Sequence, residues 1–313
     1  MLAGLNMMTI AVLACVGIML DLLLGEARRW HPLVGFGRLA SWLERRLNHA
    51  DVRCLKGVGA WLLAVGPITL LSVVLTWWLA TINLWLALLA HALMLYVSLG
   101  LRSLRDHILP ISLALQSGDL AHARLLTGRI VSRDTSQSSE QELAKAGVES
   151  LLENGNDAVF ATLFWFVIAG GPGAILFRLA NTLDAMWGYR SARYLHFGWA
   201  AARIDDGLNL IPARLTAISY AALGNTRQAW RCWREQAPQW SSPNAGPVMA
   251  AGAGALQVSL GGAAVYDNAV EERPVLGCGP LAGGLDIQRA WQLVFKTTGL
   301  WLMVLVVLGV VSA

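Results

Sequence analysis

The chain has 313 residues, of which 56% are hydrophobic and 14% are charged, whereas about 25% of residues are charged in an ordinary soluble domain. Its formal net charge is +4, and because no contiguous basic and aromatic surface is present, we expect no nucleic-acid partner. The four cysteines are isolated in the sequence, which indicates reduced thiols rather than a disulfide or zinc framework.

A charge-free run of 45 residues extends from Gly57 to Leu101. One helical membrane span needs about 20 apolar residues, so this run is long enough for two crossings. A soluble helix must keep one polar face, which excludes a soluble fold for so long a stretch. We therefore predict an all-α protein, a polytopic integral membrane helical bundle whose cytoplasmic loops carry the polar motifs.

We predict a single membrane domain, 1–313, without an internal repeat or a separable soluble part. The first apolar run has no basic flank and no cleavage site, so it is interpreted as a membrane helix and not as a signal peptide. In chain order, the predicted helices span 7–24, 57–79, 83–101, 158–180, 207–223 and 293–311.

Three segments leave alternatives open. A Gly-Gly-Pro-Gly run at 170–173 interrupts the helix at 158–180, which is typical of a discontinuous helix or a re-entrant hairpin. Segment 207–223 contains Pro212 and either crosses the membrane or does not. Segment 243–266 is rich in Gly and Ala, which suits a tightly packed membrane helix or a flexible loop.

The distribution of Lys and Arg predicts the topology. Both are absent before Arg28, seven then fall between residues 25 and 56, and six more fall between 102 and 157. Positively charged loops stay in the cytoplasm. We therefore predict an extracytoplasmic N-terminus, loops 25–56 and 102–157 in the cytoplasm, and a multi-pass protein of the bacterial cytoplasmic (inner) membrane.

An amphipathic helix is predicted inside the second of these loops. Ser139 and Glu142 have the spacing of a capping box, so the helix should begin at about residue 140. An Asn-Gly-Asn run at 154–156 should end it in a left-handed cap. Glu142, Glu149 and Glu153 would share one face, and the i,i+4 like charges of Glu149 and Glu153 are unfavourable in a plain helix. This face predicts a site, and the alternative is a solvated acidic face.

Polar residues also interrupt apolar sequence directly beside predicted membrane segments, at 181–190 and 203–214. Charge in such a place is costly unless it is paired, hydrated or bound to a ligand. Asp205 and Asp206, with Asn209 one turn later, supply the oxygen ligands that Mg²⁺ prefers. The arginines supply forked donors that suit phosphate. The alternative is Asp–Arg pairing that only holds helices together.

Five motifs follow one another along the chain. They are R-D-T at 133–135, E-S-x-x-E-N-x-x-D at 149–157, N-T-L-D-x-M-x-G-Y at 181–189, R-x-D-D-x-x-N-x-x-P-A-R at 203–214 and S-P-N-A-G at 242–246. In this order they resemble the adenosylcobinamide-phosphate synthase family of cobalamin biosynthesis (CbiB/CobD). The N-terminal residues Asp21 to Gly25, His31-Pro32 and Gly37-Arg38 are also similar to that family.

The resemblance implies an ATP-dependent amide ligase that uses Mg²⁺. Its reaction joins the corrinoid adenosylcobyric acid to a small amine, aminopropanol or its phosphate, through an acyl phosphate. The sequence contains no Walker A pattern, so Mg²⁺, arginines and backbone N–H groups would hold the nucleotide. Besides these substrates, membrane lipid is an expected partner, and other membrane-associated cobalamin enzymes are further candidates.

The matching motifs give three sets of candidate residues. The catalytic set is Asp184, Asp205, Asp206, Glu153 and Arg214. The cofactor-binding set is Arg133, Asp134, Asn181, Arg203, Asn209 and Asn244. The metal-binding set is Glu149, Glu153, Asp205 and Asp206.

We further predict that the broken segment 158–180 lines a pocket for the flat, amphipathic corrin ring. The aromatic residues that it would offer are Phe164, Trp165, Phe166 and Trp187. The alternative is a kinked span whose rings pack against neighbouring helices.

Two other classes of protein compete with the ligase. A transporter would also carry membrane carboxylates and a helix broken by Gly and Pro, but here the carboxylates concentrate in polar loops and at segment ends. A membrane scaffold for corrinoid enzymes would not need so many ordered polar motifs. ATP hydrolysis coupled to amide formation separates the ligase from the scaffold, and uptake into sealed vesicles identifies a transporter.

Overall fold

We describe the protein from a computed structural model, which covers residues 4–26, 32–49, 52–131, 133–266 and 269–312. For 264–266 and 269–270 only the backbone is described. Arg28 and His31, which entered the topology and the N-terminal motif, lie outside the described residues.

Helices dominate the described part of the chain. They are α1 (Met7–Leu24), α2 (Pro32–Leu47), α3 (Arg53–Ile82), α4 (Leu84–Ser98), α5 (Leu101–Gln116), α6 (Leu120–Thr127), α7 (Glu140–Gly155), α8 (Ala161–Trp187), α9 (Trp199–Leu223), α10 (Thr226–Gln236), α11 (Ala245–Leu256) and α12 (Gly284–Val311). A π-helical turn (Asn156–Phe160) joins α7 to α8, and a 3-10 turn (Ala237–Gln239) follows α10.

Four short strands pair as two antiparallel ladders. They are β1 (Ser259–Gly261), β2 (Ala264–Tyr266), β3 (Ala269–Glu271) and β4 (Val275–Gly277). β1 pairs with β4 so that Leu260 faces Leu276, and β2 pairs with β3. The sequence did not predict these strands.

The predicted helical membrane bundle is confirmed. Within the described residues, five helical stretches are long and apolar enough to cross a membrane: Met7–Leu24, Arg53–Ile82, Leu84–Gln116, Glu140–Trp187 and Gly284–Val311. The segment predicted at 207–223 is helical as part of α9, with Pro212 inside the helix, but α9 does not belong to these five stretches.

The chain divides into two compact units, where the sequence predicted one domain. Unit 1 comprises 1–100, 161–209 and 302–313, and unit 2 comprises 101–160 and 210–301. Each is described by itself below.

Unit 1 is built around α8. Helix α8 packs against α2, α3 and α4, and α4 also contacts α1. A buried aromatic and aliphatic cluster that includes Trp61, Leu183, Trp187 and Phe197 fills the space between α2, α3, α8 and the start of α9. Outside this cluster, Arg193 forms a two-pronged ion pair with Glu44 of α2, with a shortest N–O distance of 2.7 Å.

The predicted break in α8 is confirmed. Ala169 (φ −135°, ψ 17°) and Gly170 (φ 64°, ψ −153°) leave the helical region, and a positive φ of this kind favours glycine. The N–H of Gly171, freed by the break, donates to Nδ1 of His91 on α4 at 2.9 Å. A buried backbone donor must be satisfied in an apolar setting, so His91 stabilises the broken conformation.

Unit 2 is built around α7, which packs against α5, α6 and α11. The predicted capping box is confirmed: Oε2 of Glu142 accepts from the Ser139 N–H at 2.8 Å, and the Ser139 side chain accepts from the Glu142 N–H. Most residues of α7 from Leu143 onward are buried. The alternative of a solvated acidic face therefore does not hold for Glu149.

The predicted left-handed end of α7 is wrong. Asn156 is right-handed (φ −62°, ψ −55°), and the chain continues through the π-helical turn. Gly155 is required for packing instead, since a Cβ there would lie 2.8 Å from the Tyr220 hydroxyl. Asn156 is held by Thr216, whose hydroxyl donates to its Oδ1 at 2.9 Å.

The Gly- and Ala-rich segment 243–266 follows neither alternative, since its helix is shorter than the stretches able to cross a membrane and short strands come after it. Its first part forms α11, every residue of which is buried, and its second part forms β1 and β2. Gly254 allows α11 to approach α10 closely, because a Cβ there would lie 2.7 Å from the Cα of Ala229. All four cysteines of the chain are free. In unit 2, Cys232 and Cys278 are hydrogen-bond partners, and burial raises the pKa of Cys232 to about 12.

The predicted topology can be tested with native Cys54, which is exposed at the start of α3. With Cys15, Cys232 and Cys278 replaced by serine, a membrane-impermeant maleimide should label Cys54 in inside-out vesicles and not in spheroplasts, because loop 25–56 is predicted to be cytoplasmic. A permeant maleimide should label both preparations. Labelling of spheroplasts by the impermeant reagent would overturn the topology.

Gly57→Ala is expected to destabilise unit 1, because the added Cβ would collide with the carbonyl oxygen of Phe197. Overpacking of this kind costs about 1–3 kcal/mol. Gly59→Ala in the same helix is the matched control, since its Cβ would meet nothing within 4 Å and Ala is the better helix former. Thermal unfolding in detergent measures both variants, and equal midpoints would contradict the close contact.

Candidate functional site

The predicted site residues form local clusters in each of the two units. Those in unit 1 lie on the second half of α8 and on the first turns of α9, and those in unit 2 lie just before and on α7, in the second half of α9 and directly before α11.

A carboxylate held by two amides forms the buried cluster of unit 1. Oδ1 of Asp205 accepts from Nδ2 of Asn181 on α8 at 3.4 Å, and Oδ2 accepts from Nδ2 of Asn209 at 3.2 Å. Asp205 and Asn209 face each other because residues four apart share one helix face. Asp205 is 6% exposed and Asn209 is 2% exposed. Three predicted residues are therefore brought together here.

The side chain of Asp206 is more accessible to solvent than that of Asp205. Its Oδ2 lies 3.0 Å from Nη2 of Arg203, one turn earlier on α9. Burial raises the pKa of the Asp206 carboxyl above its usual range, against the opposing attraction of Arg203 and Arg190. The attraction of the two arginines thus does not outweigh the effect of burial on this pKa.

Asp184 lies in the last turn of α8. Its carbonyl accepts from the N–H of Gly188 at 2.7 Å, and a Cβ on Gly188 would collide with Oδ1 of Asp184. The glycine of the N-T-L-D-x-M-x-G-Y motif is thus needed to leave room for the carboxylate.

In unit 2, Glu149 accepts four hydrogen bonds. Its Oε1 accepts from the Gly261 N–H at 2.7 Å and from Arg273 Nη2 at 3.2 Å. Its Oε2 accepts from Arg273 Nη1 at 3.2 Å and from Arg133 Nη2 at 3.4 Å. A carboxylate offers about four acceptor positions, so these bonds saturate Glu149.

Sequence reasoning missed two members of this cluster. Arg273 lies 124 residues from Glu149 in the chain, so no local spacing connects them, and β4 places it beside the β1 end. Lys145 lies one turn before Glu149 on the same helix, and its Nζ donates to the carbonyl of Ala263 at 3.2 Å. The i,i+4 spacing of Lys145 and Glu149 was a signal that could have identified Lys145.

A hydrogen bond between Arg214 and Asn244 joins two of the sequence motifs, R-x-D-D-x-x-N-x-x-P-A-R and S-P-N-A-G. Nη1 of Arg214 donates to Oδ1 of Asn244 at 2.6 Å and to the carbonyl of Leu210 at 3.0 Å. Asn244 is buried at the start of α11. Burial also lowers the pKa of the Arg214 guanidinium. The arginine that ends R-x-D-D-x-x-N-x-x-P-A-R therefore holds the asparagine of S-P-N-A-G.

Two predicted residues remain outside these clusters. Asp134 shapes its own turn, since its Oδ1 accepts from the Ser136 N–H at 2.8 Å, and this bond lowers the pKa of its carboxyl. Glu153 is half-buried on α7, one turn after Glu149.

The predicted metal ligands differ in how well they suit Mg²⁺. Glu149 does not fit, because cationic and N–H donors occupy its acceptor positions. Asp205 fits better, since the amides of Asn181 and Asn209 orient its carboxylate without adding positive charge. Within the described residues no three His, Cys, Asp or Glu side chains come together as a metal site. Mg²⁺ often uses one or two carboxylates together with substrate phosphates, and Asp205 and Asp206 match that pattern.

The aromatic residues proposed for a corrin pocket fall into two groups. Phe166 is 0% exposed and Trp187 is 1% exposed, so for these two the alternative of packing against neighbours holds. Trp187 packs edge-on against Phe197 with 5.0 Å between ring centroids. Phe164 and Trp165 are partly exposed and stay candidates for ligand contact.

Glu149→Gln is expected to destabilise unit 2, because it leaves buried arginines without their counter-charge. Removing one partner of a buried ion pair costs about 3–5 kcal/mol. Glu235→Gln, which breaks the exposed Arg231–Glu235 pair, is the matched control and should change stability by no more than about 1 kcal/mol. Thermal unfolding in detergent compares the two, and a Glu149 variant as stable as the Glu235 variant would contradict the saturated arrangement.

Comparison with known proteins agrees with the motifs. The family model described as CobD/Cbib protein matches residues 14–294. The chain is 57% identical to "Cobalamin biosynthesis protein CobD" of Stutzerimonas stutzeri, over 92% of this chain and 94% of that protein. It is 54% identical to the protein of the same name from Chromobacterium violaceum, over 94% and 95% of the two chains, and 39% identical to that of Mycobacterium tuberculosis, over 90% of each. No solved structure matches. The chain belongs to the CobD/CbiB family.

Proposed function

We propose that this protein is an ATP-dependent amide ligase that joins adenosylcobyric acid to aminopropanol or its phosphate. The family and the names of its relatives support a role in cobalamin biosynthesis. The observation that carries the ligase proposal is the buried Asn181–Asp205–Asn209 cluster beside Asp206 in unit 1. Charge buried among apolar helices is costly, and a site for phosphates and a cation gives it a use.

The proposed reaction activates a carboxylate, which is a poor acyl donor at neutral pH. An oxygen of the corrinoid carboxylate attacks the γ-phosphorus of ATP, the bond to ADP breaks, and an acyl phosphate forms. The amine nitrogen then attacks the acyl carbon, the bond to phosphate breaks, and inorganic phosphate leaves. The nitrogen loses its proton to a base, and the amide results.

The chain's residues would assist by position and charge. Asp205 and Asp206 are the residues that would hold Mg²⁺, which when bound neutralises phosphate charge during phosphoryl transfer. Burial raises the pKa of the Asp206 carboxyl, and a bound divalent cation would favour its ionised form. Arg203, which is half exposed beside Asp206, would contact phosphate oxygens.

The alternative function is transport of a corrinoid or another polar substrate. The broken helix α8, with His91 bonded to the freed Gly171 N–H, is the observation that favours it, since discontinuous helices form the binding sites of many transporters. Uptake of a corrinoid into sealed proteoliposomes without ATP or amine would support transport. Amide formation by detergent-solubilised protein would support the ligase. In either case we propose the bacterial inner membrane as the location.

Asp205→Asn and Asp206→Asn are each expected to lower turnover at least about 100-fold, because removing one group that stabilises developing charge in a transition state typically costs about 3–4 kcal/mol. The measurement is amide product formed from adenosylcobyric acid, the amine and ATP over a range of Mg²⁺ concentrations. Asp106→Asn, which removes an exposed surface carboxylate of α5, is the control and should keep wild-type activity. Near-normal activity in both Asp205 and Asp206 variants would disprove the assignment.

A further inference from the structure

Three cationic side chains surround one buried carboxylate in unit 2. We refer to Arg133, Lys145, Glu149 and Arg273 as the Glu149 cluster. The side chains of Arg133 and Glu149 are each 8% exposed, that of Arg273 is 11% exposed, and Lys145 is 9% exposed. Lys145 lies within electrostatic range of both arginines and of Glu149. The cluster therefore holds three positive charges close together in a buried, poorly hydrated environment.

Glu149 alone does not balance these cations. Among the described residues, the other carboxylate within electrostatic range of Lys145 is Glu142, and that side chain is bonded to the Ser139 cap of α7. Even with both carboxylates counted, positive charge is in excess. An uncompensated buried charge is unfavourable. A bound anion would supply the missing negative charge and so stabilise the cluster.

The cations also keep donors that can face such an anion. A guanidinium has five N–H donors and an ammonium has three. In the described part of the chain, Arg133 uses one donor on Glu149, and Lys145 uses one on Ala263. Glu149 orients the guanidinium of Arg133, and the Ala263 carbonyl orients the ammonium of Lys145, so the cations are in position before an anion binds.

The backbone around the cluster is held in place by the same contacts. Gly261 (φ 72°) and Gly262 (φ 69°) are left-handed, a conformation that glycine adopts readily. The Gly261 N–H is bound by Glu149, and the Gly262 carbonyl accepts from Arg273 Nε at 3.2 Å. The Arg273 guanidinium also lies over the Trp240 ring, 5.4 Å from its centroid.

We propose that Arg133, Lys145 and Arg273 form a phosphate-binding subsite and that Glu149 positions the two arginines. Arginine recognises phosphate through its planar fork, and lysine through its compact charge. Phosphate here has two sources, the nucleotide and a phosphorylated amine. Only the choice between these sources rests on the proposed function; the subsite itself does not.

The first experiment measures phosphate binding without turnover. Purified full-length protein in detergent is titrated with inorganic phosphate and with tripolyphosphate at constant ionic strength, and the thermal midpoint reports binding. Lys145→Gln should weaken binding at least tenfold without lowering the midpoint measured in the absence of phosphate, because it removes surplus positive charge. Arg133→Lys should also weaken binding, since the charge stays but the fork is lost. Arg231→Gln, on the exposed face of α10, is the control and should bind like the wild type.

Two results would overturn the proposal. One is a wild-type protein whose midpoint responds to neither phosphate nor tripolyphosphate. The other is a Lys145→Gln variant that binds both anions normally but unfolds at a lower temperature, which would show that Lys145 serves the fold alone.

A second experiment identifies the source of the phosphate. Displacement of tripolyphosphate by ATP and not by aminopropanol phosphate would assign the subsite to the nucleotide, and the reverse result would assign it to the amine. Unphosphorylated aminopropanol is the control and should displace nothing. If phosphate binding depends on Lys145 but no amide is formed under any condition, the proposed ligase function fails while the subsite stands.

Discussion

Charge buried among apolar helices has to be compensated locally, and this constraint governs both units. In unit 2 the Glu149 carboxylate joins α7 to the segments that carry Arg133, Gly261 and Arg273. Gly261 and Arg273 are remote from Glu149 in sequence. Strands β1 and β4 have only three residues each, so they bring little stabilisation of their own. The hydrogen bonds and ion pairs of the Glu149 carboxylate therefore fix the position of these non-helical segments of unit 2.

The same requirement applies to backbone groups where helix α8 is interrupted. The break at Gly170 releases an N–H group at Gly171, and His91 of the neighbouring α4 accepts it. Close approach of the two helices is needed for this bond, and a Cβ on Gly171 would lie only 2.8 Å from Met94 side-chain atoms. Gly170 thus permits a backbone conformation, and Gly171 permits a close contact between two helices.

Much of the fold could be predicted because its signals are local. The charge-free run, the capping box at Ser139 and the break near Gly170 each report on a few consecutive residues, and the structure contains all three features. The end of α7 was mispredicted because Gly155 has a local signature, a helix terminator, but a tertiary purpose, contact with Tyr220. Arg273 could not be found, since it lies 124 residues from Glu149, with helices α8 to α11 between them, and no periodicity connects the two.

The candidate site shows why carboxylates that look alike in sequence differ in role. Glu149 and Asp205 both interrupt apolar helices and both are nearly buried. Glu149 is bound by two cations and a backbone N–H, so its charge is fully used in holding arginines. Asp205 is bound by the amides of Asn181 and Asn209, which fix its orientation without neutralising it. Amide donors orient a carboxylate without themselves supplying a counter-charge, whereas cationic donors also neutralise it. The identity of the hydrogen-bond donors, which sequence spacing does not reveal, is therefore what separates a proposed cation ligand from a positioning group.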